Sequence, residues 1–183
     1  MKAFLLVALV LSASLGRAQV PDDAKPASTN VPGQDYPRVY PDHRIAFRIK
    51  APDAQKVLVQ LSKAYEMEKS VDGVWSVTLP AQAEGFHYYS FVIDGVQVSD
   101  PASESFFGVS RMSSGVEVPA EDAAFYTVQD VAHGQVRTQR YFSKVTGQWR
   151  RCFVYTPPGY DSNLKMKYPV LFLMPGGGED DRG

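Results

Sequence analysis

The sequence predicts a mostly β chain: an immunoglobulin-like antiparallel β-sandwich over residues 42–130, then the first strands of an α/β domain over 131–183. Three observations predict it. From Asp42 onward, apolar residues recur at every second position in short runs separated by turn signals, the pattern of strands with one buried and one wet face. No run shows the period of an amphipathic helix, and short strands at this spacing point to a small sandwich. The last apolar run, YPVLFLM (168–174), does not alternate, as expected of a strand buried on both faces of a parallel sheet.

In chain order, Met1 and Lys2 give a positive start, Ala3 to Leu15 an apolar run short for a bilayer span, and Gly16-Arg17-Ala18 small residues where a signal peptidase cuts. Residues 1–18 are therefore expected to be a signal peptide and the protein to be exported, periplasmic or secreted. Residues 19–41 carry Pro21, Pro26, Pro32, Pro37 and Pro41 among polar residues, which reads as an extended, unpacked linker.

The first strand is expected in HRIAFRIK, where Ile45, Phe47 and Ile49 alternate with Arg44, Arg48 and Lys50. KVLVQL (56–61), VWSVTL (74–79) and FHYYSFVI (86–93) follow, with turns at Ala51-Pro52-Asp53, Asp72-Gly73 and Glu84-Gly85. Asp94-Gly95 suits the positive φ angles of a tight hairpin and pairs FHYYSFVI with VQVS. An irregular stretch, 119–134, then marks a domain boundary near residue 130. Beyond it QVRTQRYFSKV and QWRRCFVYTP form a hairpin through Thr146-Gly147, and Pro157-Pro158-Gly159 turns the chain toward YPVLFLM.

Composition narrows the function classes. The chain has 183 residues, 44% of them hydrophobic, and a net charge of −1; removing residues 1–18 leaves 17 basic against 20 acidic residues, or −3. No run of like charge supplies a footprint for nucleic acid or a membrane surface, so neither is expected as a partner. Cys152 is the only cysteine, so no internal disulfide forms; in RRCFVYTP it reads as a small buried hydrophobe. His43, His87 and His133 are far apart, and Glu179-Asp180-Asp181 lacks the spaced ligands and central glycine of a calcium loop, so neither a metal nor a cofactor is expected.

Met174-Pro175-Gly176-Gly177-Gly178-Glu179 follows the apolar run directly. Glycines at such a place let backbone N–H groups approach a substrate closely, as in a loop that stabilises the oxyanion formed when a serine attacks an ester. With the hairpin, the Tyr-Thr-Pro-Pro-Gly-Tyr turn and Lys-x-Tyr-Pro-Val-Leu-x-Leu ahead of it, this segment resembles the start of the esterase domain in the enterochelin esterase and feruloyl esterase group, an α/β-hydrolase fold. The preceding PDHRIAFRIKAPDAQKVLVQL, Gly-Val-Trp, GFHYYSFVIDG and SDPASESFFG resemble a family 48 carbohydrate-binding module. FFGVSRMSSGVEVP, with HGQVRTQRYFSKVTGQWRRCFVYTPPGY after it, is similar to such modules fused to bacterial feruloyl and xylan esterases.

The resemblance implies an exported serine esterase acting on feruloyl or acetyl esters of plant cell-wall polysaccharide, with Gly177 and Gly178 as oxyanion donors and a xylan-type ligand. Pro175 replaces the histidine usual in that loop and removes its anchoring hydrogen bond. No G-x-S-x-G occurs, and all three histidines precede the glycine loop, whereas the triad histidine comes last in this fold. The chain is therefore expected to be the inactive N-terminal part of such an enzyme. Two other classes stay open: a non-catalytic xylan- or starch-binding protein, and part of a siderophore esterase.

Candidate sugar contacts are Trp75, Tyr88, Tyr89 and Arg111. Flat amphipathic rings stack on sugar faces but equally suit a core. Val77 and Leu79 share the face of Trp75, and both faces of FHYYSFVI carry tyrosine, so alternation alone does not decide which is wet. Arg111, in Ser110-Arg111-Met112-Ser113-Ser114, either lines the cleft with the esterase domain, as the resemblance implies, or is an ordinary surface arginine.

Overall fold

A computed structural model describes residues 23–163, 165–174 and 176–179; the expected signal peptide lies outside them. The chain folds into the expected immunoglobulin-like β-sandwich of two antiparallel sheets. In chain order its strands are β1 (Lys25–Pro26), β2 (Arg38–Val39), β3 (Ile45–Lys50), β4 (Val57–Gln60), β5 (Ala64–Glu66), β6 (Glu68–Lys69), β7 (Val74–Leu79), β8 (Gly85–Ile93), β9 (Val96–Val98), β10 (Ser105–Gly108) and β11 (Arg111–Val118). One sheet runs β1-β2-β3-β7-β6 and the other β10-β11-β8-β4-β5, with β9 pairing the far end of β8.

The two inner faces interdigitate. Ile45 and Phe47 of β3 and Trp75 and Leu79 of β7 meet Val57 and Val59 of β4, Tyr89 and Phe91 of β8, and Val116 and Val118 of β11, all buried. Phe47 sits at the centre, 4.8 Å from the Tyr89 ring and 6.4 Å from that of Phe91, both edge-on, the geometry the ring quadrupoles favour. Burial at this density, rather than any cross-link, holds the sheets together. Asp94 (φ 46°) and Gly95 (φ 89°) both take the positive angles expected of their hairpin, and the Asp94 carboxylate also accepts the Gln55 and Lys56 N–H groups at the start of β4.

The proline-rich segment is not a linker. From Ala24 onward it belongs to the sandwich: β1 pairs β2, β2 pairs β3, and Ala24, Ala27, Thr29, Pro37 and Val39 are buried. The Thr29 hydroxyl donates to Gly115 O at 2.7 Å, and Val31 N–H donates to Ala102 O, so the segment ties the two sheets together at one edge. Its prolines suit edge strands that need few ladder hydrogen bonds, and its buried residues are too small to show a hydropathy pattern.

Beyond the sandwich, a 3₁₀ turn (Ala123–Phe125) leads to the expected hairpin, β12 (Gln135–Ser143) and β13 (Gln148–Thr156), closed by Gly147 at φ 64°. Its side chains are largely exposed, Trp149 included, and Cys152 is half-buried rather than buried. Arg137 forms an ion pair with Asp161 and lies over the Tyr160 ring. The third expected strand does not form: residues 168–174 make no strand pairing among the described residues, and Val170 to Met174 are exposed. An apolar strand of this kind draws its order from strands on both sides and helices on both faces, and the described residues supply neither.

Candidate functional site

The parity left open by the sequence is decided by the core. His87, Tyr89, Phe91 and Ile93 have the inward parity of β8, whereas Phe86, Tyr88, Ser90 and Val92 have the outward one. On the outward side the Phe86 ring stands 5.0 Å from Tyr88 and 4.8 Å from Phe106 of β10, edge-on to both. Two glycines make room for these rings. A Cβ on Gly115 would lie 2.3 Å from Phe86 Cζ and one on Gly108 2.1 Å from Tyr88 Cζ, so both rings rest on bare backbone. Phe86 remains 43% exposed, and the three rings form an aromatic patch on a wet sheet face.

The β10–β11 turn brings the glycine loop to this patch. Val109 and Ser110 both have positive φ, 48° and 65°, a conformation that a β-branched valine adopts only at a cost. At the tip, Ser110 N–H donates to Gly178 O at 2.6 Å. Gly178 itself has φ 84°, and a Cβ there would sit 3.1 Å from Ser110 N, so both its conformation and its contact call for glycine. Glu179 closes the loop by accepting Gly176 N–H at 3.0 Å, and its other carboxylate oxygen receives a long hydrogen bond of 3.4 Å from the Tyr88 hydroxyl. Desolvation first, and the Glu179 carboxylate second, hold the Tyr88 phenol above its ordinary pKa. Neither Gly177 N–H nor Gly178 N–H has an acceptor among the described residues. Two adjacent unpaired amides beside an aromatic patch can receive an oxygen that carries developing negative charge.

Next to the patch, where β9 and β11 take successive stretches of β8, lies a cleft of about 290 Å³ lined by Ser90, Gln97, Val98, Ser99, Arg111, Met112 and Ser113. Gln97 Nε2 donates to Ser90 Oγ at 2.5 Å, which leaves the serine proton and Gln97 Oε1 for other partners. Arg111 is exposed at its edge, with no carboxylate paired to it among the described residues.

Thus the structure brings Tyr88, Arg111, Gly177 and Gly178 to one side of the molecule. It sets Trp75 and Tyr89 elsewhere. Trp75 is 6% exposed in the opposite sheet; its indole N–H donates to Ala51 O at 2.9 Å and Lys69 covers its ring. Tyr89 is 2% exposed, its ring packed on Phe47 and its hydroxyl donating to Asp100 Oδ2 at 2.7 Å. Both expected sugar contacts are core side chains here, because a sugar can stack only on a ring face that water reaches. Beneath the cleft, Asp100 is itself buried and accepts Ala102 N–H, while its own N–H donates to Ser114 Oγ. Burial pushes the Asp100 carboxyl up against the opposing effect of the Tyr89 and Ala102 hydrogen bonds, and pushes the Tyr89 phenol up as well. Phe86, Phe106, Ser90 and Gln97 were not singled out from the sequence; the glycines at outward positions of β10 and β11 were the signal that rings lie across them.

No family model matches the chain. It is 37% identical over 178 residues to the endo-1,4-beta-xylanase/feruloyl esterase of Xylanibacter ruminicola, a match that covers 92% of this chain and 24% of that protein. The chain thus spans about a quarter of the length of this curated relative. Among solved structures, one from Salmonella typhimurium assigned as an alpha amylase aligns over 51% of this chain and 16% of its own, with 30% identity and a TM-score of 0.39. Pullulanase type I from Bacillus subtilis, complexed with maltose, aligns over 45% and 13%, with 22% identity and a TM-score of 0.37.

Proposed function

We propose that this chain is the sugar-recognising front of an exported serine esterase that acts on feruloyl or acetyl esters of xylan. The observation that carries the reading is the docking of the glycine loop on the aromatic face, through Ser110 N–H to Gly178 O and the Tyr88 hydroxyl to Glu179. Phe86, Tyr88 and Phe106 offer rings to stack on a xylan chain, and Gly177 and Gly178 offer amides to the carbonyl oxygen of an ester carried by that chain. Similarity to a xylanase/feruloyl esterase over 92% of the chain supports xylan as the polymer. The sandwich is read as a family 48 carbohydrate-binding module. The attacking serine is not among these residues, since no G-x-S-x-G is present, so the chain by itself releases neither ferulate nor acetate.

Retention on insoluble xylan against insoluble starch tests this. Xylan retention, weakened in Phe106→Ala, is expected. Starch retention would move the protein to a storage-polysaccharide binder, and retention on neither would remove the sugar-binding role.

A further inference from the structure

We propose that the cleft beside the aromatic patch is a subsite for a sugar that carries a carboxylate, with Arg111 as its anion-binding residue; this rests on the xylan reading and adds to it a preference for acidic decoration. The geometry supports a sugar. Ser90, Gln97, Ser99 and Ser113 supply hydroxyl and amide groups, Met112 an apolar wall, and the volume of about 290 Å³ is at the small end of ligand clefts, the room of a single ring. Ser90 and Tyr88 share the outward face of β8 at adjacent outward positions, so a branch in the cleft joins a backbone lying on the aromatic patch. Hydrogen-bonding groups of this kind hold any sugar.

Arg111 adds the selectivity. It begins β11 opposite Gly108, where the partner position bears no side chain. Among the described residues its guanidinium forms no ion pair and no hydrogen bond. A guanidinium fork matches a carboxylate with two parallel hydrogen bonds, which lysine cannot reproduce. Of the carboxylates among the described residues on this side, Asp100 is buried and engaged with Tyr89 and Ala102, and Glu179 is engaged with Gly176 N–H and the Tyr88 hydroxyl.

The experiment is calorimetric titration of the purified chain with a glucuronic-acid-decorated xylo-oligosaccharide and with the undecorated oligosaccharide of equal length. The decorated ligand is expected to bind about ten-fold tighter, the worth of one charge-assisted bidentate contact. That ratio falls to near one in Arg111→Gln, is recovered in part in Arg111→Lys, and shrinks as salt rises. Equal affinities in the unaltered protein, or a preference that survives Arg111→Gln, would overturn the subsite. Competition by free ferulate rather than free glucuronate would assign the cleft to an aromatic acid and overturn it too. Binding of the undecorated ligand that is lost in Phe106→Ala shows the xylan reading standing whether or not the subsite does; binding of neither ligand removes both.

Discussion

Gly108→Ala probes the aromatic patch where its packing is tightest. Gly108 has an ordinary φ, so alanine brings no backbone strain and the effect is steric alone. The new Cβ would lie 2.1 Å from Tyr88 Cζ and 2.5 Å from both Cε1 and the hydroxyl oxygen, far inside van der Waals contact. The ring must therefore leave its seat on β10, and with it goes the Tyr88 to Glu179 hydrogen bond. Overpacking of this kind costs about 1–3 kcal/mol, and each kcal/mol lowers Tm by about 2–4 °C in a chain of this size. Thermal unfolding and xylan affinity are measured for Gly108→Ala, Tyr88→Ala and the double variant. In the Tyr88→Ala background the clashing atoms are gone, so the alanine should cost less than about 0.5 kcal/mol, and the cycle should show strong coupling. A Gly108→Ala protein with unchanged Tm and unchanged affinity would refute the placement of Tyr88 over β10.

Trp75→Phe removes the indole donor to Ala51 O, so stability should fall by about 1–2 kcal/mol in chemical denaturation, with xylan retention unchanged because the ring faces the core of the other sheet. Val109→Asn relaxes the positive φ of the β10–β11 tip, since asparagine tolerates that region, and a gain of about 1 kcal/mol is expected in the same assay. For Asp100 the folded carboxyl titrates above its ordinary value. Between that ordinary value and the raised one, the folded state holds a proton that the unfolded state has lost. Stability from this group is thus full below the ordinary value, declines as pH rises through the window, and settles at a constant lower level above it. Denaturation of the protein against Asp100→Asn from about pH 3 to 7 should show this decline in the first and not in the second.

The sandwich was legible where period and turn chemistry speak locally. HRIAFRIK, VWSVTL and the Asp94-Gly95 hairpin became β3, β7 and the β8–β9 turn because alternation and positive-φ residues carry their own signal. Proline-rich residues 24–41 were not, because Ala24, Ala27 and Thr29 are buried by what surrounds them rather than by their own hydropathy. In β8 both parities offered tyrosine, and only the partners decided: Phe47 packs edge-on against Tyr89 in the core, while glycines lie under Phe86 and Tyr88. The glycine loop was found by its composition. Its docking was not, since it depends on a turn in which Val109 and Ser110 both take a positive φ that neither residue type favours, and on a hydrogen bond from Ser110 to Gly178 that joins segments far apart in the chain. Residues 168–174 show the converse: an apolar run names the strand it would join but cannot supply the neighbours.

Amide shifts in a nuclear magnetic resonance titration of the chain with a feruloylated xylo-oligosaccharide test most directly whether the patch and the loop are one site. If the aromatic patch and the glycine loop form one site, Gly108, Ser110 and Gly115 should shift together with Gly177 and Gly178, at a common ligand concentration. Shifts confined to β3 and β7, or a patch that responds while the two loop amides stay still, would contradict it.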